Sequence, residues 1–170
     1  YETLIGNIVS GLYNNMSVSA EEIAIIGQFA ENVYFGKPCG LMDQMACSVG
    51  SFITIDFKDP SEPVIEKVDF DFASCGHSLC IVDTKGSHSN LTDEYAAIRL
   101  EMESVAAQFS KKVLREVDEK EFLAKIPELR EAVGDRAVLR AMHFYKDNER
   151  VLREVDALKK NDFEKFKQLV

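Results

Sequence analysis

With 170 residues, the chain is long enough for one domain or for parts of two adjoining ones. It is 46% apolar and carries a formal charge of −9, with Lys and Arg scattered among acids. That balance argues against a nucleic-acid partner, though a phosphorylated small ligand needs only a few local donors.

The first segment carries Leu4, Ile5, Ile8, Val9, Leu12 and Tyr13 at helical spacing, predicting an amphipathic helix that ends near Asn14. Ser19 and Glu22 form a capping box, whose hydroxyl and carboxylate satisfy free amide donors at the start of a second helix. That helix runs through Ile23, Ile26, Ala30 and Val33 until Gly36 and Pro38 break it. A short third helix begins around Gly40 and ends before Gly50. Residues 51–57 and 64–70 are β-branched, aromatic or alternating, with a turn over 58–61, and read as an antiparallel hairpin. Residues 78–84 are almost continuously apolar and read as a buried strand, followed by a polar loop over 85–90.

From Leu91 onward the pattern is helical. Tyr95, Ile98, Met102, Val105 and Ala106 make one stripe, and Leu123 and Ile126 suggest a short helix stopped by Pro127. A long helix is predicted over 135–158, burying Val138, Met142, Tyr145, Val151, Leu152 and Val155, with a last helix starting near Asn161. No apolar run reaches the ~20 residues needed to cross a bilayer, and no basic-then-apolar leader pattern is seen. The four cysteines lack metal-ligand spacing, so they read as reduced thiols in a cytoplasmic protein without a membrane partner. Both ends fall inside helix-patterned segments and Tyr1 is not Met, so the chain reads as an excerpt.

Two places could carry chemistry. At the first, a Gly-Pro break feeds into a helix start, where free N–H groups and the helix dipole favour anions. Asp43 lies there, suited to take or orient the proton of an attacking hydroxyl, and Gly40 leaves room for a ligand. Taken alone, this pattern is commoner as an ordinary helix-start acid than as a site. The second is the loop with Ser87 and Ser89 before a helix carrying Tyr95, which on spacing alone is commoner as a plain connection with Asn90 as N-cap and Tyr95 in the core.

Taken together, these segments resemble galactokinases of the GHMP small-molecule kinase superfamily. Ala30-Glu31-Asn32-Val33-Tyr34-Phe35-Gly36-Lys37-Pro38-Cys39-Gly40-Leu41-Met42-Asp43-Gln44 looks like the family segment built around Cys-Gly-Ile/Leu-Met-Asp-Gln. Ile55-Asp56, His88-Ser89, Glu94-Tyr95 and Arg99 follow at the family's spacing. Arg140-Ala141-Met142-His143 and Asp147-Asn148-Glu149-Arg150-Val151 resemble its later helical region.

The resemblance implies an α+β, two-lobed GHMP kinase fold. Residues 1–72 would be the end of the N-terminal lobe, and 73–170 the first part of the ferredoxin-like C-terminal lobe. It implies ATP-dependent phosphorylation of galactose at the anomeric hydroxyl, with ATP and Mg2+ as cofactors. Asp43 would be catalytic; Gly40, Asp43 and Tyr95 would bind the sugar; Ser89 would lie near the nucleotide phosphates. No metal ligand is expected in this segment. The phosphate-cradling Gly-Leu-Ser-Ser-Ser-Ala loop, the Gly-Glu-His stretch and the late glycine-rich segment of the family are not in this sequence, so the segment is not expected to be active alone. Ser87 also stands where many members have a basic residue. A kinase-like sugar sensor, or a kinase of a related sugar such as N-acetylgalactosamine or arabinose, is the alternative.

Overall fold

The computed structural model describes residues 1–59, 62–86 and 91–170 and mixes helix with strand. The chain divides into two units, Tyr1–Phe70 and Asp71–Val170, and each is described by itself.

The first unit opens with α1 (Glu2–Tyr13) and α2 (Ala20–Phe29). Ser19 caps α2 as expected: its hydroxyl accepts from Glu22 N–H at 3.1 Å, and the Glu22 carboxylate accepts from Ser19 N–H at 2.9 Å. The face that α1 buries is the opposite of the predicted one. Thr3 and Ser10 are buried, whereas Leu4, Ile5, Ile8, Val9, Leu12 and Tyr13 are exposed. The reason is the small-residue ridge Thr3, Gly6 and Ser10, which brings α1 close to α2. A Cβ placed on Gly6 would stand 2.8 Å from Ile23 Cγ2.

The predicted end of the second helix takes an unexpected form. Residues Ala30–Phe35 wind as a π-helix, closed by Gly36 at φ 70° and by a Lys37 N–H bond to the Glu31 carbonyl at 3.1 Å. A loop then leads into α3 (Met42–Val49). The hairpin follows as β1 (Phe52–Asp56) and β2 (Val64–Val68), antiparallel with Thr54 opposite Glu66. Ile53, Ile55, Phe57 and Ile65 pack with Val49 against a core of Ala24, Leu41 and Met45. The start of α3 is therefore fixed on one side by α2 and on the other by the hairpin.

In the second unit, residues 78–86 form neither helix nor ladder among the described residues, and Leu79, Ile81 and Val82 are exposed. An apolar run becomes a strand only where another strand supplies main-chain partners, which those residues lack here. Helices α4 (Thr92–Ala107), α5 (Glu119–Ala124), α6 (Ile126–Val133), α7 (Asp135–Lys159) and α8 (Phe163–Leu169) make up the rest, with single 3₁₀ turns at Ala73–Cys75 and Leu114–Glu116. Pro127 opens α6 rather than stopping α5, as its fixed φ and missing N–H allow in a first turn. The core gathers Val105, Leu114, Val117, Phe122, Leu129 and Val138. Along α7 the expected burial of Val138 is observed, but Val151 and Leu152 are exposed; Ala157 and Leu158 are buried instead. Glu101 ties α4 to α7, accepting from Arg136 Nε at 2.7 Å and lying 2.9 Å from Arg140 Nε. The four cysteines are free thiols. Among the described residues, no helix is long and apolar enough to cross a membrane.

Candidate functional site

Asp43 occupies the first turn of α3, where unsatisfied backbone N–H groups leave a partial positive charge. Its side chain is exposed and has no hydrogen bond or ion pair among the described residues. Gly40, three residues earlier, is exposed too, and a Cβ built there would meet nothing within 4 Å. The pair therefore presents an accessible carboxylate next to an open stretch of backbone. On the inner side of the same turn, Gln44 and Met45 are buried. The helix is thus anchored by one face and displays Asp43 on the other.

The loop before α3 contains two breakers, Gly36 and Pro38, yet it is pinned at Cys39. The Cys39 N–H donates to Asn32 Oδ1 at 2.8 Å. Its carbonyl accepts from Asn32 Nδ2 at 3.3 Å and from Gln28 Nε2 at 3.2 Å. Gln44 Nε2 points at Cys39 Sγ from 3.5 Å. Burial pushes the Cys39 thiol pKa up, and a contact with Glu31 adds to this, against an opposing effect of Gln44. Taken residue by residue, the sequence does not mark Gln28, Asn32 or Gln44 as functional. Gln28 and Asn32 are four apart, and this spacing was the available signal, but it points to Cys39 only once the turn at Gly36 is known.

Tyr95 belongs to the second unit, in the first turns of α4. Its N–H donates to the Leu91 carbonyl at 3.0 Å, and its side chain is 55% exposed rather than packed in a core. Ser89, together with Ser87, His88 and Asn90, lies outside the described residues. The later helical motif lines a cavity of about 220 Å³ between α4 and α7, formed by Ile98, Met102, Arg140, His143, Phe144 and Asp147, together with Asn148. A second cavity of about 330 Å³ lies beside the Leu114–Glu116 turn, bordered by Tyr145, whose hydroxyl donates to the Val117 carbonyl at 3.2 Å. Among the described residues, no group of three or more His, Cys, Asp or Glu side chains is placed to hold a metal ion.

No family model matches the sequence. Curated proteins do. The chain is 36% identical to a galactokinase of Actinobacillus pleuropneumoniae over 156 residues, covering 92% of this chain and 40% of that protein. It is 35% identical to a galactokinase of Glaesserella parasuis over 157 residues, 89% of this chain and 38% of that protein. A Streptomyces coelicolor galactokinase is 32% identical over 166 residues, 95% of this chain and 41% of that protein. The chain thus spans about two fifths of the length of the curated relatives it matches.

Proposed function

Since the chain belongs to the galactokinase family, we propose that its full-length protein is a sugar-1-kinase that transfers the γ-phosphoryl group of ATP to the anomeric hydroxyl of galactose. The observation that carries the reading is the exposed, unpartnered Asp43 carboxylate in the first turn of α3, within a helical turn of the open backbone at Gly40. The attacking sugar oxygen forms the new O–P bond while the bond to ADP breaks, and the hydroxyl proton must leave. Asp43 takes that proton or holds it in line; positioning and electrostatics supply most of the remaining catalysis in phosphoryl transfer.

Gly40 lets the sugar approach the main chain, and the Tyr95 phenol hydrogen-bonds a sugar hydroxyl. Ser89 attends the nucleotide phosphates. Magnesium would neutralise charge on the ATP phosphates when bound. Among the described residues, no group of three or more His, Cys, Asp or Glu side chains is placed to hold it. In the GHMP kinase arrangement, residues 1–72 would end the N-terminal lobe and residues 73–170 would begin the ferredoxin-like C-terminal lobe.

The test is Asp43→Asn in the full-length protein, with ADP release followed in the presence of galactose and ATP. The expected loss in kcat is roughly 10²–10⁴-fold, the usual contribution of a positioned acid or base, with galactose binding retained. Undiminished turnover would remove Asp43 from the chemistry. The same assay with N-acetylgalactosamine and arabinose decides the sugar, because a few pocket contacts suffice to switch among them.

A further inference from the structure

We propose that Asn32 is a positioning residue that sets the loop delivering Gly40 and Asp43, an inference that rests on the kinase reading above. The segment between Gly36 and Leu41 has no helix or strand of its own, and Gly36 reverses the chain at φ 70°. What fixes it is the carboxamide of Asn32, which engages both main-chain groups of Cys39: the N–H at 2.8 Å and the carbonyl at 3.3 Å. This is the pair of bonds an opposing residue makes in an antiparallel ladder. Gln28, one helical turn earlier, adds a second donor to the same carbonyl at 3.2 Å, and Gln44 reaches the Cys39 sulfur from α3. Cys39 is therefore held by amide side chains from three consecutive elements, and Gly40 is the next residue.

Asn32 is itself exposed. It adds no apolar area to the core of Ala24, Leu41 and Met45, so its service is geometric. Both bonds need one oxygen acceptor and one N–H donor in a planar group, which asparagine has and aspartate lacks. A carboxylate in that place would still accept from the Cys39 N–H but would face the Cys39 carbonyl without a proton to share.

The experiment uses the full-length protein with four variants: Asn32→Ala, Asn32→Asp, Gln28→Ala and Asp43→Asn. Asn32→Ala is expected to lower kcat with galactose roughly tenfold or more, since small misplacements of reacting groups are costly. The KM for ATP is expected to stay within about twofold, as befits a residue whose effect is confined to the sugar-side loop. Asn32→Asp should fail to restore kcat, and Gln28→Ala, which gives up one bond of three, should lose less. Hydrogen exchange at the Cys39 amide should quicken in Asn32→Ala, while exchange at Met45 stays unchanged. If Asp43→Asn loses turnover but Asn32→Ala keeps the parental kcat, the positioning role is overturned. It is equally overturned if the loss disappears once rates are corrected for the folded fraction, or if Asn32→Asp behaves as the parent. If Asp43→Asn itself turns over normally, it is the kinase reading that falls, and the exchange result alone then reports on the loop.

Discussion

Replacing Gly6 with alanine sets two effects of known size against each other. Alanine is the better helix former by about 1 kcal/mol. Yet the added Cβ would stand 2.8 Å from Ile23 Cγ2, the branch of a side chain that is only 3% exposed and has little room to yield. Forcing a methyl into such a contact typically costs about 1–3 kcal/mol, so the net change is a destabilisation of roughly 1 kcal/mol. Gly11 is the control on the same helix. There a Cβ meets only Met16 Sδ at 3.1 Å, the far part of a flexible, exposed side chain, and the propensity gain should win. The two variants should therefore differ by about 2 kcal/mol, or roughly thirtyfold in local opening. Hydrogen exchange of peptides covering residues 20–29 in the full-length protein reads this directly. Combining Gly6→Ala with Ile23→Ala should return more than the sum of the single effects predicts, because the clashing carbon is gone. Gly6→Ala protecting α2 as well as Gly11→Ala would refute the close approach of α1 and α2.

Two further perturbations test the second unit. Phe122 is fully buried, with its ring 5.2 Å from that of Tyr145; Phe122→Ala should cost about 3–5 kcal/mol, measured by urea denaturation. Burial first, then the Glu119 and Asp118 carboxylates, push the Tyr145 phenol up to about 12. Its neutral form therefore contributes fully below about pH 10, and that contribution is lost as pH rises from there through about 12. In an alkaline titration by phenolate absorbance, Tyr145 should ionise near pH 12, and Tyr145→Phe should remove that phase.

How far the sequence disclosed these features depended on how local their causes were. The Ser19–Glu22 capping box, the short helix carrying Asp43 and the hairpin all rest on neighbours within a few residues, and each could be read directly. The apolar stripe of α1 misled, because helix approach was decided by Thr3, Gly6 and Ser10, whose small side chains give no hydrophobic signal. Residues 78–84 have strand composition, but a ladder needs a partner that composition cannot supply. Pro127 reads as a stop from its local sequence, although the first turn of a helix accepts proline equally well. Within the candidate site, Gly40 and Asp43 stood out only through the long motif around them. Asn32 lies in that same motif, but its partner is reached across a left-handed turn at Gly36, which no periodicity reveals.

The π-helix between Ala30 and Phe35 gives the chain a length constraint. A wider turn holds a residue that an α-helical turn would not. Rewinding to an ordinary α turn would take up most of a one-residue deletion, whereas a deletion with the winding kept would turn everything beyond it by up to about 100°. In that second case Asn32 would look away from Cys39, although no side chain in the motif had been altered. Substitutions at the exposed Val33, Tyr34 and Phe35 should be borne far more easily than an insertion or deletion with the winding kept. For this stretch of the protein, counting residues matters more than naming them.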